Sequence, residues 1–120
     1  MEEVKNIKVL TVLCLILLSP VIGFSEVVKE YYDSGKLKRE ENYKNGKLEG
    51  ITKSYYESGA LKTEIYYKNG KAEGFAKIYF KSGEIYSIDT YKDDQQIKRK
   101  IYDIKGKLEY EQNFPYMEEN

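Results

Sequence analysis

The chain has 120 residues, room for one domain, and its 20 basic and 20 acidic side chains cancel, so no net field draws it to nucleic acid or to an acidic partner. It has no histidine and one cysteine, Cys14. Past the first 25 residues it therefore lacks the groups that most nucleophile–base pairs and transition-metal sites require, and the reading is a non-enzyme with no cofactor.

The first segment looks like an export signal. Lys5 and Lys8 precede an apolar run over residues 9–24 that is interrupted at Pro20. The run is shorter than the roughly 20 residues needed to span a bilayer. Gly23 and Ser25 set small residues at the minus-three and minus-one positions of a cleavage after Ser25. Residues 1–25 are expected to form a signal-peptide helix, with an uncleaved membrane anchor as the alternative. Glu2 and Glu3 dilute the basic start. Cys14 follows Thr11, Val12 and Leu13 rather than the small residue that precedes a lipidated cysteine, so it reads as an apolar filler. The expected location is the periplasm, the cell surface or the medium, reached with no disulfide to form.

From residue 29 the chain repeats itself. Residues 29–52 (KEYYDSGKLKREENYKNGKLEGIT) and 53–76 (KSYYESGALKTEIYYKNGKAEGFA) are two copies of one 24-residue unit. A third copy covers about 77–99, a frayed fourth about 100–115, and residues 116–120 form a polar tail. A fixed period of this size signals an array of small units that bury their apolar face against one another. Each copy has a first turn with glycine in a fixed slot: Gly35, Gly59, Gly83 and Gly106. A second turn is Asn45-Gly46 and Asn69-Gly70, the strongest short-range hairpin signal, replaced in the third copy by Asp93-Asp94.

The runs between turns alternate. Leu37, Arg39, Glu41 and Tyr43 become Leu61, Thr63, Ile65 and Tyr67, then Ile85, Ser87, Asp89 and Tyr91, then Leu108, Tyr110, Gln112 and Phe114. Only the ends of each set stay apolar, which predicts strands anchored to a thin core at both ends and wet in the middle. Tyrosines in equal slots are expected to stack into ladders. Gly50 and Gly74 are expected to leave room for an aromatic ring over the backbone. Pro115 and the tail are expected to end the sheet. The predicted fold is all-β: an elongated antiparallel meander of about eight strands over residues 26–115, built from repeated β-hairpins.

The shared pattern YY-x-x-G-x-L-x-x-E-x-x-Y-x-N-G-x-x-x-G, matched in full by Gly35/Leu37/Glu40/Tyr43/Asn45/Gly46/Gly50 and one copy later, resembles the bacterial MORN-repeat variant. The third copy departs from it at Ile88 and Asp93-Asp94. The repeats are similar to those of the YwqK-like group, often labelled antitoxin components, and to those of exported bacterial arrays. The resemblance implies an elongated β-sheet with an interaction role and brings no catalytic motif.

Asp89, Asp93 and Asp94 follow no calcium-loop register and read as a solvated turn. The recurrent Glu40, Glu64 and Glu111 read as cross-strand partners of lysines. The candidate interaction residues are Tyr66, Tyr86, Arg39, Ile65, Asp93 and Asp94, most of them where the copies differ. The expected function is an exported protein–protein interaction module at the bacterial envelope or surface, with a protein partner and no nucleic acid. The alternative is an antitoxin or immunity protein that binds a cognate toxin. A weaker one is a lipid-surface binder, which needs the first segment to stay uncleaved as a membrane tether.

Overall fold

A computed structural model of the chain describes residues 23–118. Of the expected signal segment only Gly23, Phe24 and Ser25 fall among them. The strands are β1 (Ser25–Tyr31), β2 (Leu37–Lys44), the two-residue β3 (Lys47–Leu48), β4 (Gly50–Tyr55), β5 (Leu61–Lys68), β6 (Lys71–Tyr79), β7 (Ile85–Lys92), β8 (Gln95–Tyr102) and β9 (Leu108–Asn113). They make one antiparallel sheet in the order β1-β2-β4-β5-β6-β7-β8-β9, with β3 paired to β2. This is the expected all-β meander, and the extra strand is the start of β4 split off just before Gly50.

The two kinds of turn have different chemistry. At the first, Tyr32 N donates to Lys36 O and Gly35 N donates to Tyr32 O, both at 2.8 Å, and the same pair of bonds recurs at residues 56–60, 80–84 and 103–107. That is a three-residue loop closed by a left-handed glycine, with φ of 82° at Gly35 and 105° at Gly83. At the second, both central residues are left-handed: 51° and 75° at Asn45 and Gly46, 51° and 80° at Asn69 and Gly70. Asp93 and Asp94 keep the same two-residue turn at 47° and 66°, so the loss of Asn-Gly does not lengthen the connection. Aspartate tolerates this region because its short polar side chain bonds locally. The Asp94 side chain instead reaches across the sheet, its Oδ1 accepting from Ala72 N, on β6, at 2.6 Å.

Gly50 and Gly74 serve a purpose other than the expected one. No atom comes within 4 Å of a Cβ built on Gly74, and only the Asn42 Cβ, at 3.9 Å, approaches that of Gly50. Both residues are left-handed, with φ of 94° and 75°. They sit in β-bulges: residues 73–75 of β6 face Tyr66 alone, between the pairs Ile65↔Ala76 and Tyr67↔Ala72. In β8 the matching bulge holds only Ile97, between Gln96 and Lys98. That shorter bulge is where the last repeat drops one residue.

Register sorts the side chains onto two faces. On one, Val28, Glu41, Thr52, Ile65, Ala76, Asp89, Arg99 and Gln112 lie in a row across the sheet. This packed face holds the most buried residues: Ala72, Ala76, Thr52, Ser87 and Asp89. The middle of the strands is thus dry, contrary to the expectation from sequence. Several of its polar groups bond to one another, while the buried Thr52 and Ser87 hydroxyls have no hydrogen-bond partner among the described residues. Arg99 grips Asp89 through Nε at 2.9 Å and Nη2 at 2.7 Å, Tyr43 donates to Glu41 at 3.0 Å, and the Ser54 and Thr63 hydroxyls meet at 2.6 Å. Asp89 therefore belongs to this face of β7, and only Asp93 and Asp94 are turn residues. Burial here pushes the Tyr67 and Tyr91 hydroxyl pKa values up.

The tyrosines do not stack into ladders. The hydroxyl of Tyr32 donates to Tyr55 O, and that of Tyr56 to Tyr79 O, each at 2.6 Å, so each repeat is pinned to the backbone of the next. In the third repeat Phe80 has no hydroxyl to give and instead meets Tyr86 edge to face at 5.2 Å. A second inter-repeat link comes from Glu49 and Glu73, whose carboxylates accept from Asn69 N at 2.7 Å and Asp93 N at 2.9 Å. As expected, no strand follows β9 among the described residues, yet the chain past Pro115 stays in contact with the sheet. Gln95 exchanges two hydrogen bonds with Met117, and the Tyr116 hydroxyl donates to Asp93.

Candidate interaction surface

On the other face one row reads Lys29, Glu40, Lys53, Glu64, Lys77, Ile88, Lys100 and Glu111, each in register with the next. Lys29 meets Glu40 at 3.2 Å, Lys53 meets Glu64 at 3.8 Å and Lys98 meets Glu111 at 2.5 Å. These glutamates are paired with cross-strand lysines, and Lys98 beside Glu111 holds that carboxyl below its usual range. Solvent-exposed pairs of this kind contribute little to stability, and they keep the face neutral.

The row beside it breaks the pattern. In it stand Asn42 on β2, Ile51 on β4, Tyr66 on β5, Phe75 on β6 and Thr90 on β7. Ile51 and Tyr66 are direct cross-strand partners, and Phe75 projects from the bulge at Gly74. They remain 45, 41 and 63% exposed. With Glu64, Glu73 and Lys77 they line an open depression of about 300 Å³. The equivalent slot is Asn42 in the first repeat, where the amide donates to Ile51 O at 2.7 Å, and Thr90 in the third. Among the described residues the three apolar side chains therefore come together at the junction of the first and second repeats. Contiguous exposed apolar surface rimmed by charge is the mark of an interaction site.

The six candidate residues do not converge. Tyr66 and Tyr86 lie on the face that carries the patch. Arg39 and Ile65 lie on the packed face, Arg39 bridging Glu30 at 3.3 Å and Glu41 at 3.4 Å. Asp93 and Asp94 lie at the end of the β7–β8 hairpin. Sequence reasoning missed Phe75 and Ile51. Their signal was an apolar residue straight after each recurrent Glu-Gly, at positions 51 and 75.

Tyr79 is the most perturbed group on this face. Its hydroxyl donates to Glu64 at 2.7 Å, and burial together with this bond pushes its pKa up to about 12. Once unfolded, the same hydroxyl titrates near 10. Above that pH the unfolded chain gives up a proton that the folded chain keeps, so this contribution to stability is complete below pH ~10 and is lost as pH rises to ~12. Tyr79→Phe is expected to flatten the alkaline fall in urea midpoint between pH 10 and pH 12.

The arrangement is a repeat sheet that presents a surface. Among the described residues no group of three or more carboxylate, thiol or imidazole side chains could hold a metal ion. The model of the MORN repeat variant matches residues 27–45, 48–69 and 72–93, more than half of the chain, which therefore belongs to the MORN repeat variant family. Repeats of this kind are in general interaction modules for proteins or lipids. No curated protein matches the chain. Among solved structures it is similar to a chain in the crystal structure of accessory secretory protein 1, 2 and 3 in Streptococcus pneumoniae, at 18% identity and a TM-score of 0.48, over 72% of this chain and 17% of that one.

Proposed function

We propose that this protein is an exported, non-catalytic module that holds a protein partner at the bacterial envelope or cell surface, through the depression formed by Ile51, Tyr66 and Phe75. The observation that carries the reading is the exposure of these three large side chains together, from three adjacent strands, beside a row made mostly of lysines and glutamates. Aromatic and aliphatic side chains set among neutralised charges suit a partner's apolar anchor, with the Lys/Glu row as a polar rim. Export rests on the apolar run and the small residues before position 26. A chain cut after Ser25 would retain β1 from Glu26 onward and lose, among the described residues, the two hydrogen bonds between Phe24 and Asn45 and the pairing of Ser25 with Tyr43 and Lys44.

Affinity capture from the cells that make the protein, read by mass spectrometry of bait and prey, tests both parts. The bait is expected to start at Glu26. A specific protein prey is expected to fall at least tenfold with the double variant Tyr66→Ala/Phe75→Glu and to persist with Arg39→Ala. A bait that keeps Met1 in the soluble cytosolic fraction would sink the export claim. Recovery of one stoichiometric toxin would recast the interaction as neutralisation.

A further inference from the structure

Among the described residues the two outer strands of the sheet, β1 and β9, each have an unpaired side, and the two are unlike each other. Strands alternate between a return type (β1, β4, β6, β8) and an outgoing type (β2, β5, β7, β9), and the sheet starts with one type and ends with the other. What β9 lacks on its free side is a return strand, and β1 is one. The described residues after β9 do not cover that side. Phe114 N donates to Ile97 O at 2.9 Å and Met117 is bonded to Gln95, so residues 114–117 stay against β8. On β1, Glu26 stands in the slot of the bulge glycines Gly50 and Gly74 and is not left-handed, so the free side of β1 has no such bulge.

Both edges also keep apolar side chains where a capping strand would be polar. Val28 is 40% exposed, whereas Thr52 and Ala76, in the same slot of β4 and β6, are 8 and 5% exposed. Leu108 and Tyr110 are exposed, and the interior equivalents of Leu108, namely Leu37, Leu61 and Ile85, are half-buried.

We propose that the protein assembles head to tail, β9 of one copy taking β1 of a second copy as its next strand. The register follows from the interior pairs Thr63↔Ile78, Glu64↔Lys77 and Ile65↔Ala76. Tyr110 then faces Glu30, Glu111 faces Lys29 and Gln112 faces Val28, and the alternating Lys/Glu row continues from one copy into the next. Symmetric pairing of β9 with itself sets carboxylate against carboxylate around Glu111, which is unfavourable. A head-to-tail contact does not close on two copies and yields open chains. The inference uses the sheet edges and is independent of the patch.

The test uses the full chain carrying Cys14→Ser, so that an introduced thiol stands alone. One version carries Lys29→Cys and the other Glu111→Cys. On mixing and oxidation the 29-to-111 disulfide is expected to exceed either homodimer at least fivefold. A predominance of 111-to-111 or 29-to-29 dimers, or no disulfide at all, would overturn the proposal. Sedimentation of the uncrosslinked protein adds a second readout. Glu111→Lys is expected to weaken self-association about tenfold and mixing with Lys29→Glu to restore it, whereas an unchanged Glu111→Lys would count against the register.

Discussion

Replacing Arg99 with alanine is expected to destabilise the fold by about 3 kcal/mol, read as a drop in the urea midpoint at unchanged slope. Asp89 is 2% exposed and both its oxygens are held by the Arg99 guanidinium. Removing the cation leaves an ionised carboxylate with no water to solvate it, which typically costs about 3–5 kcal/mol. The lower end applies because the Arg99 side chain is 39% exposed and already trades with solvent. A single-layer sheet has little to spare against such a loss, since whole domains are stable by only about 5–15 kcal/mol. The double variant Asp89→Val/Arg99→Met removes both charges and is expected to recover most of the loss. A midpoint for Arg99→Ala within experimental error of the parent would show that Asp89 does not depend on its partner.

Gly74→Ala is expected to cost about 1–2 kcal/mol, because a Cβ at φ +75° pays the left-handed penalty and nothing else. For a domain of this size that corresponds to about 4–8 °C in melting temperature per kcal/mol. Open space around the site separates the conformational cost from any clash. Gly74→Asn should cost less, as Asn69 already occupies that region at φ 51°. Lys98, the residue just after the shorter bulge in β8, lies outside the left-handed region. Lys98→Gly is therefore expected to lose stability, by about 0.5–1 kcal/mol. Equal melting temperatures for Gly74→Ala and the parent would mean that the bulge is not fixed in the left-handed form.

These two sites also show how far the sequence could be read. Turn glycines and strand alternation depend on neighbours in the chain, so the meander was legible from periodicity alone. Burial in the strand middles was not legible, because it depends on which residues meet across strands. Asp89 stands ten positions from Arg99, and the two face each other only because the β8 bulge is one residue shorter than its counterparts. Read along the chain, Asp89 resembled its neighbours Asp93 and Asp94. The same limit hid the patch. Tyr66 was visible as a departure from the repeat, but its companions Ile51 and Phe75 sit 15 and 9 residues away and become neighbours only through the β4–β5 pairing and the bulge at Gly74. Among the slots that differ between copies, Asn42/Tyr66/Thr90 lies on the face that carries the patch, whereas the side chains of Arg39/Thr63/Ser87 lie on the packed face.

The claim that one face of this sheet holds a protein partner is tested most directly by photo-crosslinking in the cells that make the protein. A benzophenone amino acid is placed at position 66 or 75 on the patch, or at position 65 or 67 on the packed face. One discrete adduct with another protein is expected from positions 66 and 75 and none from 65 and 67. Adducts only from the packed face, or from neither face, would contradict the claim.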